Sequence, residues 1–235
     1  MRPMSSKILV LNGESYAKAL KGFGEITTDL REFITEPWNF RCVMFTGGED
    51  VTPELYDDFS PKEVCGFNEF RDKIEANVFK LCKKHGVAMT GICRGSQFLN
   101  VMSGGKLIHH LDGHAGSSHL MSTYVQEDPI LVNSLHHQAI ITGPGVHIVG
   151  WSTKRLSKKY IGYMDKHFDY QDKEVEAIVV PEHNIFAVQY HPEMMLEDST
   201  GYIFYNAGLT LFLEMGADEF LKEFKREENH GSVQA

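Results

Sequence analysis

Val87-Ala88-Met89-Thr90-Gly91-Ile92-Cys93-Arg94-Gly95-Ser96-Gln97 sets a cysteine between two glycines, where an apolar, β-prone run gives way to a helical pattern. The arrangement reads as a nucleophile elbow, the cysteine counterpart of Gly-x-Ser-x-Gly. Glycine at 91 and 95 lets the chain turn sharply and the helix pack close to the strand. The sulfur then sits at the tip of the turn, where a helix N-terminus favours the thiolate. A strand feeding a helix through such a turn is the unit of a parallel α/β sheet, and the rest of the chain is read outward from it.

Nearly a hundred residues downstream, another apolar run, 185–188, leads into Gln189-Tyr190-His191-Pro192-Glu193. A thiol near its free pKa is mostly protonated at neutral pH, so a neighbouring imidazole must take its proton. The imidazole in turn needs a partner to fix its tautomer and orientation. Glu193 lies two residues beyond His191, which in an extended strand end puts both side chains on one side. Cys93, His191 and Glu193 are therefore the expected nucleophile, base and orienting carboxylate.

The pattern predicts strands at 7–11, 40–45, 87–91, 118–125, 130–134, 145–151, 175–180 and 185–190. Helices are predicted at 15–21, 29–34, 71–84, from the elbow to 101, and at 201–215, with an amphipathic coda at 219–226. Strands alternating with helices in the first half indicate a mostly parallel sheet covered on both faces, and the strand-rich second half an added antiparallel portion. Residues 1–226 are read as one domain and 227–235 as a polar, mobile tail. The 235 residues hold one large α/β domain and little more. A net charge of -9 argues against a nucleic-acid surface and against attraction to anionic membranes. No run approaches eighteen consecutive apolar residues, and the first residues lack a signal-peptide pattern. Four cysteines without C-x-x-C spacing fit a reduced, cytoplasmic enzyme.

Four ordered blocks carry a resemblance: Thr46-Gly47-Gly48-Glu49-Asp50-Val51, the elbow at 91–97, Val132-Asn133-Ser134-Leu135-His136-His137-Gln138-Ala139-Ile140, and 189–193. Together they resemble the class I glutamine amidotransferase superfamily, most closely its γ-glutamyl hydrolase branch of the γ-glutamyl-γ-aminobutyrate hydrolase type. The resemblance implies a flavodoxin-like α/β fold and attack of the Cys93 thiol on a γ-glutamyl amide, with no cofactor. It implies an oxyanion hole of backbone N–H groups from the Gly47-Gly48 turn and Arg94, and substrate contacts from Gln97 and from His136 or His137. Adjacent histidines in a strand point to opposite faces, so one of the two at most can face the site directly. The substrate is then either a γ-glutamyl amine hydrolysed by the protein alone, or glutamine whose ammonia passes to a ligase or synthetase on another chain. A catalytically silent scaffold is a third reading, and self-association is left open.

The chain departs from the pattern around the rim. The segment before Phe40 leaves the second strand unclear, 119–133 is tight, and 153–171 reads as an insertion. That insertion mixes Lys154, Arg155, Lys158, Lys159 and Lys166 with Tyr160, Tyr163, Phe168 and Tyr170. On an acidic protein it reads first as a hairpin or lid whose aromatics cover the core, then as a docking element, and last as a nucleic-acid contact. Among twelve histidines, His109, His110, His114 and His119 match no zinc template, and no carboxylate or cysteine is suitably interleaved, so no metal is expected.

Overall fold

A computed structural model describes residues 7–56, 58, 60, 65–161 and 173–231. The first strands are β1 (Lys7–Val10), β2 (Glu25–Thr27), β3 (Phe40–Phe45) and β4 (Ala88–Ile92). Next come β5 (Lys106–Ile108), β6 (His110–Leu111), β7 (Ser117–Thr123), β8 (Ile130–Ser134) and β9 (Ala139–Ile141). The last are β10 (His147–Ser152), β11 (Tyr160–Ile161), β12 (Val175–Val180) and β13 (Ile185–Val188). The helices are α1 (Leu30–Thr35), α2 (Glu69–His85), α3 (Arg94–Met102) and α4 (Thr200–Gly231).

Nine strands form one sheet in the order β2-β1-β3-β4-β13-β12-β10-β7-β8. Pairing is parallel from β2 through β13. From β13 to β8 it is antiparallel. The α/β class with a parallel part and an added antiparallel part is therefore as the sequence predicts. Alternation along buried strands feeds both faces: Cys42 and Met44 of β3 pack with Phe204, Tyr205 and Phe212 of α4, while Val43 and Phe45 pack with Val78, Phe79 and Phe98 of α2 and α3.

Local chemistry sets the boundaries. Asn68 caps α2, accepting from the Arg71 N–H, and Gly86 ends it in the left-handed region at φ 68°. The unclear second strand is β2, three residues at the sheet edge. The helix expected at 15–21 is instead a 3-10 turn, Glu14–Leu20. In α4 the helix and its coda join across a non-helical break at Gly216 (φ 77°, ψ 165°), and helical backbone continues to Gly231, into the stretch expected as tail. Among the described residues, no helix is long and apolar enough to cross a membrane.

Of the insertion, 153–161 is described, while Tyr163, Lys166, Phe168 and Tyr170 lie outside the described residues. Asp112 accepts from the N–H groups of Lys158 and Lys159, and Tyr160 is buried against Ile108, Leu111 and Ala139. In this part the aromatic ring does cover core. Arg155 stacks on it, 4.6 Å from the ring centroid.

Candidate active site

Three adjacent strands deliver the candidate residues at their carboxyl ends: β3 leads into Thr46-Gly47-Gly48, β4 into Cys93, and β13 into His191. Open parallel sheets present ligand sites along this edge.

Cys93 has φ 53° and ψ −112°, a backbone conformation that costs a non-glycine residue about 1–3 kcal/mol. Its surroundings hold it there. Its N–H donates to the Val188 carbonyl at 2.9 Å, and its carbonyl accepts from Ser96 N at 3.0 Å and Gln97 N at 3.2 Å. Both elbow glycines are sterically required. A Cβ at Gly91 would lie 2.7–2.8 Å from backbone atoms of Gly95 and Ser96, and one at Gly95 would run into the Phe45 carbonyl. The sulfur-bearing residue itself is only 9% exposed.

His191 interacts with both partners. Its Nδ1 lies 2.6 Å from Glu193 Oε1, and the Cys93 side chain acts on its ionisation. The geometry differs from the extended strand end expected from sequence. Pro192–Met194 forms a 3-10 turn, which folds Glu193 back onto the imidazole. Burial disfavours the imidazolium, but the interactions with Cys93 and Glu193 outweigh it and push the His191 pKa up to about 10. The stability carried by this protonation is fully present below the ordinary value of 6.5 and lost as pH rises through about 10. Glu193→Gln removes one of the two supports. The expected result is that the alkaline limb of kcat/KM moves down by about 1–3 pH units and the rate falls by about 10²-fold, read from a pH–rate profile.

Asn133, from the 132–140 block, clamps the histidine backbone: its Nδ2 donates to the His191 carbonyl at 3.0 Å, and its Oδ1 accepts from the His191 N–H at 2.8 Å. Tyr16, from the Glu14–Leu20 turn, lies over the site with its ring centroid 6.3 Å from that of His191. Its hydroxyl lies against Gly47, and burial, with the charges of Glu193 and Cys93, pushes its pKa up to about 12. Neither residue is predicted from the sequence as part of the site.

The Gly47-Gly48 turn is held from behind. Arg71 Nη2 donates to the Thr46 carbonyl at 2.9 Å and the Gly47 carbonyl at 3.0 Å. In a trans peptide the N–H points opposite to the carbonyl, so the Gly48 N–H is turned away from Arg71. Gly48 itself has φ 132°, and a Cβ there would strike the Arg71 guanidinium. Arg71 belongs to a buried network: it bonds Glu75, Arg94 bonds both Glu75 and Asp72, and Thr52 bonds Asp72. Arg94 thus serves the interior with its side chain, while its N–H opens α3, where no earlier turn of helix supplies an acceptor.

Gln97 is buried, and its Nε2 donates to the Gln138 carbonyl and to Gln189 Oε1, both at 3.2 Å. Its donor end braces the 132–140 block against the histidine strand. His136 and His137 lie in the loop between β8 and β9, so the strand expected there is corrected, but they do face different ways. His136 is buried toward Glu176, and His137 Nε2 lies 3.0 Å from Asp50 Oδ1, a contact that raises its pKa despite partial burial.

The peptidase C26 family profile matches residues 38–193, a span that holds the glycine turn, the elbow and the His191–Glu193 pair. The chain belongs to the peptidase C26 family. This places it in the class I glutamine amidotransferase-like superfamily. The chain is 30% identical over 175 residues to YvdE of Lactococcus lactis, a protein named as glutamine amidotransferase-like, the match covering 66% of each. A protein named as a glutamine amidotransferase in Schizosaccharomyces pombe is 28% identical over 170 residues, covering 68% of this chain and 65% of that one. The matched part thus spans about 65% of each relative's own length. In fold, this C26 chain is similar to a crystal structure of a glutamine amidotransferase from Thermotoga maritima (TM-score 0.55, 14% identity, 97% of this chain and 93% of that one).

Proposed function

We infer that the protein hydrolyses a γ-glutamyl amide through a thioester on Cys93. The observation that carries this reading is the strained cysteine of the elbow joined to the His191–Glu193 pair. The Cys93 thiol passes its proton to His191 and the sulfur attacks the γ-carbonyl carbon, with the developing oxyanion met by backbone N–H groups of the Gly47-Gly48 turn and of Arg94. As the C–N bond breaks, His191 gives its proton to the departing amine. Water then attacks the thioester, His191 takes its proton, and glutamate leaves with the thiol restored. Glu193 holds the imidazole through both halves. The site as a whole spends its buried groups on positioning, with Asn133 fixing the base and Arg71 fixing the turn.

A second reading shares every one of these steps and differs in the amine. The relatives named as glutamine amidotransferases favour glutamine as substrate, with ammonia passed to a ligase or synthetase on another chain. Glutamate release by the purified protein from glutamine and a panel of γ-glutamyl amines separates the two. Brisk turnover of a γ-glutamyl amine with glutamine poor supports the stand-alone hydrolase. Turnover of glutamine alone, or silence on the panel with Cys93 still alkylated by a glutamine-like chloroketone, supports the ammonia donor. Silence without alkylation removes both.

A further inference from the structure

The antiparallel half of the sheet encloses a cluster of ionisable groups that the thiol chemistry does not use. Glu176, on β12, is fully buried. Its Oε1 lies 3.0 Å from His119 Nε2, 3.6 Å from His114 Nδ1 and 3.6 Å from His136 Nε2. These approaches fall outside hydrogen-bond geometry. Both carboxylate oxygens of Glu176, His136 Nε2 and both ring nitrogens of His119 are buried without a hydrogen-bond partner among the described residues. Buried groups of this kind are costly unless something satisfies them.

Outer contacts fix which nitrogens of two rings face inward. His136 Nδ1 is 2.8 Å from the Gln138 carbonyl, which can only accept, so the neutral ring turns the lone pair of Nε2 toward Glu176. His114 Nε2 donates to Glu174 Oε2 at 3.2 Å, which leaves Nδ1, 3.4 Å from Ser134 Oγ, to face the same oxygen. Two imidazole lone pairs therefore converge on a carboxylate oxygen. An imidazole whose far N–H is held by a carboxylate or a carbonyl is the usual arrangement around a metal-bound histidine.

The charges agree. The ion pairs of Glu174 and Glu176 among the described residues are all to histidine. Two buried carboxyl groups set among imidazoles match one divalent cation.

We propose that His114, His136 and Glu176 bind a zinc-class divalent cation, with Glu174 and the Gln138 carbonyl orienting the two imidazoles and His119 resting on the carboxylate. The three ligand atoms lie within 4.8 Å of one another. Four-coordinate zinc with bonds of about 2.0–2.1 Å sets its ligand atoms roughly 3.3–3.5 Å apart, close to the spacings here. Two nitrogen ligands favour zinc and its neighbours over magnesium or calcium. The ion would tie β12 to the segment before β7 and to residues 135–138, whose Gln138 carbonyl braces Gln97 behind the cysteine. Its place is structural, beside the thiol site and outside the thiol's chemistry.

The test is metal uptake by the purified full chain after removal of bound metal with a chelator. Zinc is titrated against a chromogenic chelator, and cobalt(II) is added separately to read its visible ligand-field bands. The expected result is one zinc per chain, tetrahedral cobalt bands, and a higher melting temperature with zinc. Glu176→Gln and His136→Ala should weaken binding by about 10²-fold. His147→Ala, in a separate surface cleft with Tyr124 and Lys225, should leave it unchanged. A folded wild-type chain that takes up no stoichiometric zinc overturns the proposal and leaves the cluster held by protons. Uptake that persists unchanged in both variants also overturns it. If the variants do not fold, the wild-type titration and its cobalt spectrum decide.

Discussion

Cys93→Ala is expected to lower glutamate release by about a thousandfold or more, because no other group at the elbow can form the thioester. The fold should survive the change. The backbone bonds that hold the turn run from Cys93 N to Val188 and from Ser96 and Gln97 to the Cys93 carbonyl, and none involves the sulfur. The useful control is therefore a melting curve beside the rate. A thousandfold loss with an unmoved transition assigns the effect to chemistry. Retained activity in a folded variant would remove the thiol from the mechanism, since His191 and Glu193 would then be serving something else.

The second large effect concerns stability. Glu75 is fully buried and receives Arg94, Arg71 and Asn12, the last at 2.9 Å. Removing one member of a buried ion network leaves its partners uncompensated and costs about 3–5 kcal/mol. In a chain of this size each 1 kcal/mol moves the melting temperature by roughly 2–4 °C, so Glu75→Ala should melt about 6–20 °C lower. The same variant loosens Arg71, which holds the carbonyls of Thr46 and Gly47. The folded fraction should therefore also turn over more slowly, with kcat falling more than KM rises. A shift of under about 2 °C, the size of a surface substitution, would mean that solvent compensates the arginines and that the network does not lock the turn.

How much of this was legible in the sequence depends on how far apart the cooperating residues lie. The elbow was readable because its requirement is local: a cysteine at positive φ needs small neighbours at fixed offsets, and Gly91 and Gly95 supply them. A central strand such as β13, Ile-Phe-Ala-Val, is readable because it is a continuous apolar run buried on both faces. By contrast, β6 and β11 are two residues each and exist through their partners, so no periodicity can mark them. Tyr16 sits in a turn that looks helical by spacing, and its place over Gly47 depends on a contact between residues 31 apart.

The charges of α2 carry no local sign of their role. Arg71, Asp72 and Glu75 have the composition of a solvated helix face, and Arg94, arriving from the elbow, makes them an interior network. The histidines at 114 and 119 match no metal spacing because the carboxylates that meet them, Glu174 just before β12 and Glu176 within it, lie some 60 residues away in sequence. Spacing between histidines carries no trace of Glu176, which the sheet brings in on β12, with β10 lying between it and the β7 strand of His119. Gln97 shows the converse: its helical offset from Cys93 was readable, but its partners, Gln138 and Gln189, were set by tertiary packing.

The most direct test of the central claim is intact-protein mass measurement after rapid acid quench of the wild-type chain turning over a γ-glutamyl amide. The thioester account predicts a mass increase of one γ-glutamyl group, mapped to Cys93, lost on treatment with hydroxylamine and absent in Cys93→Ala. Steady glutamate release with no adduct at any quench time, and with Cys93→Ala equally active, would contradict it.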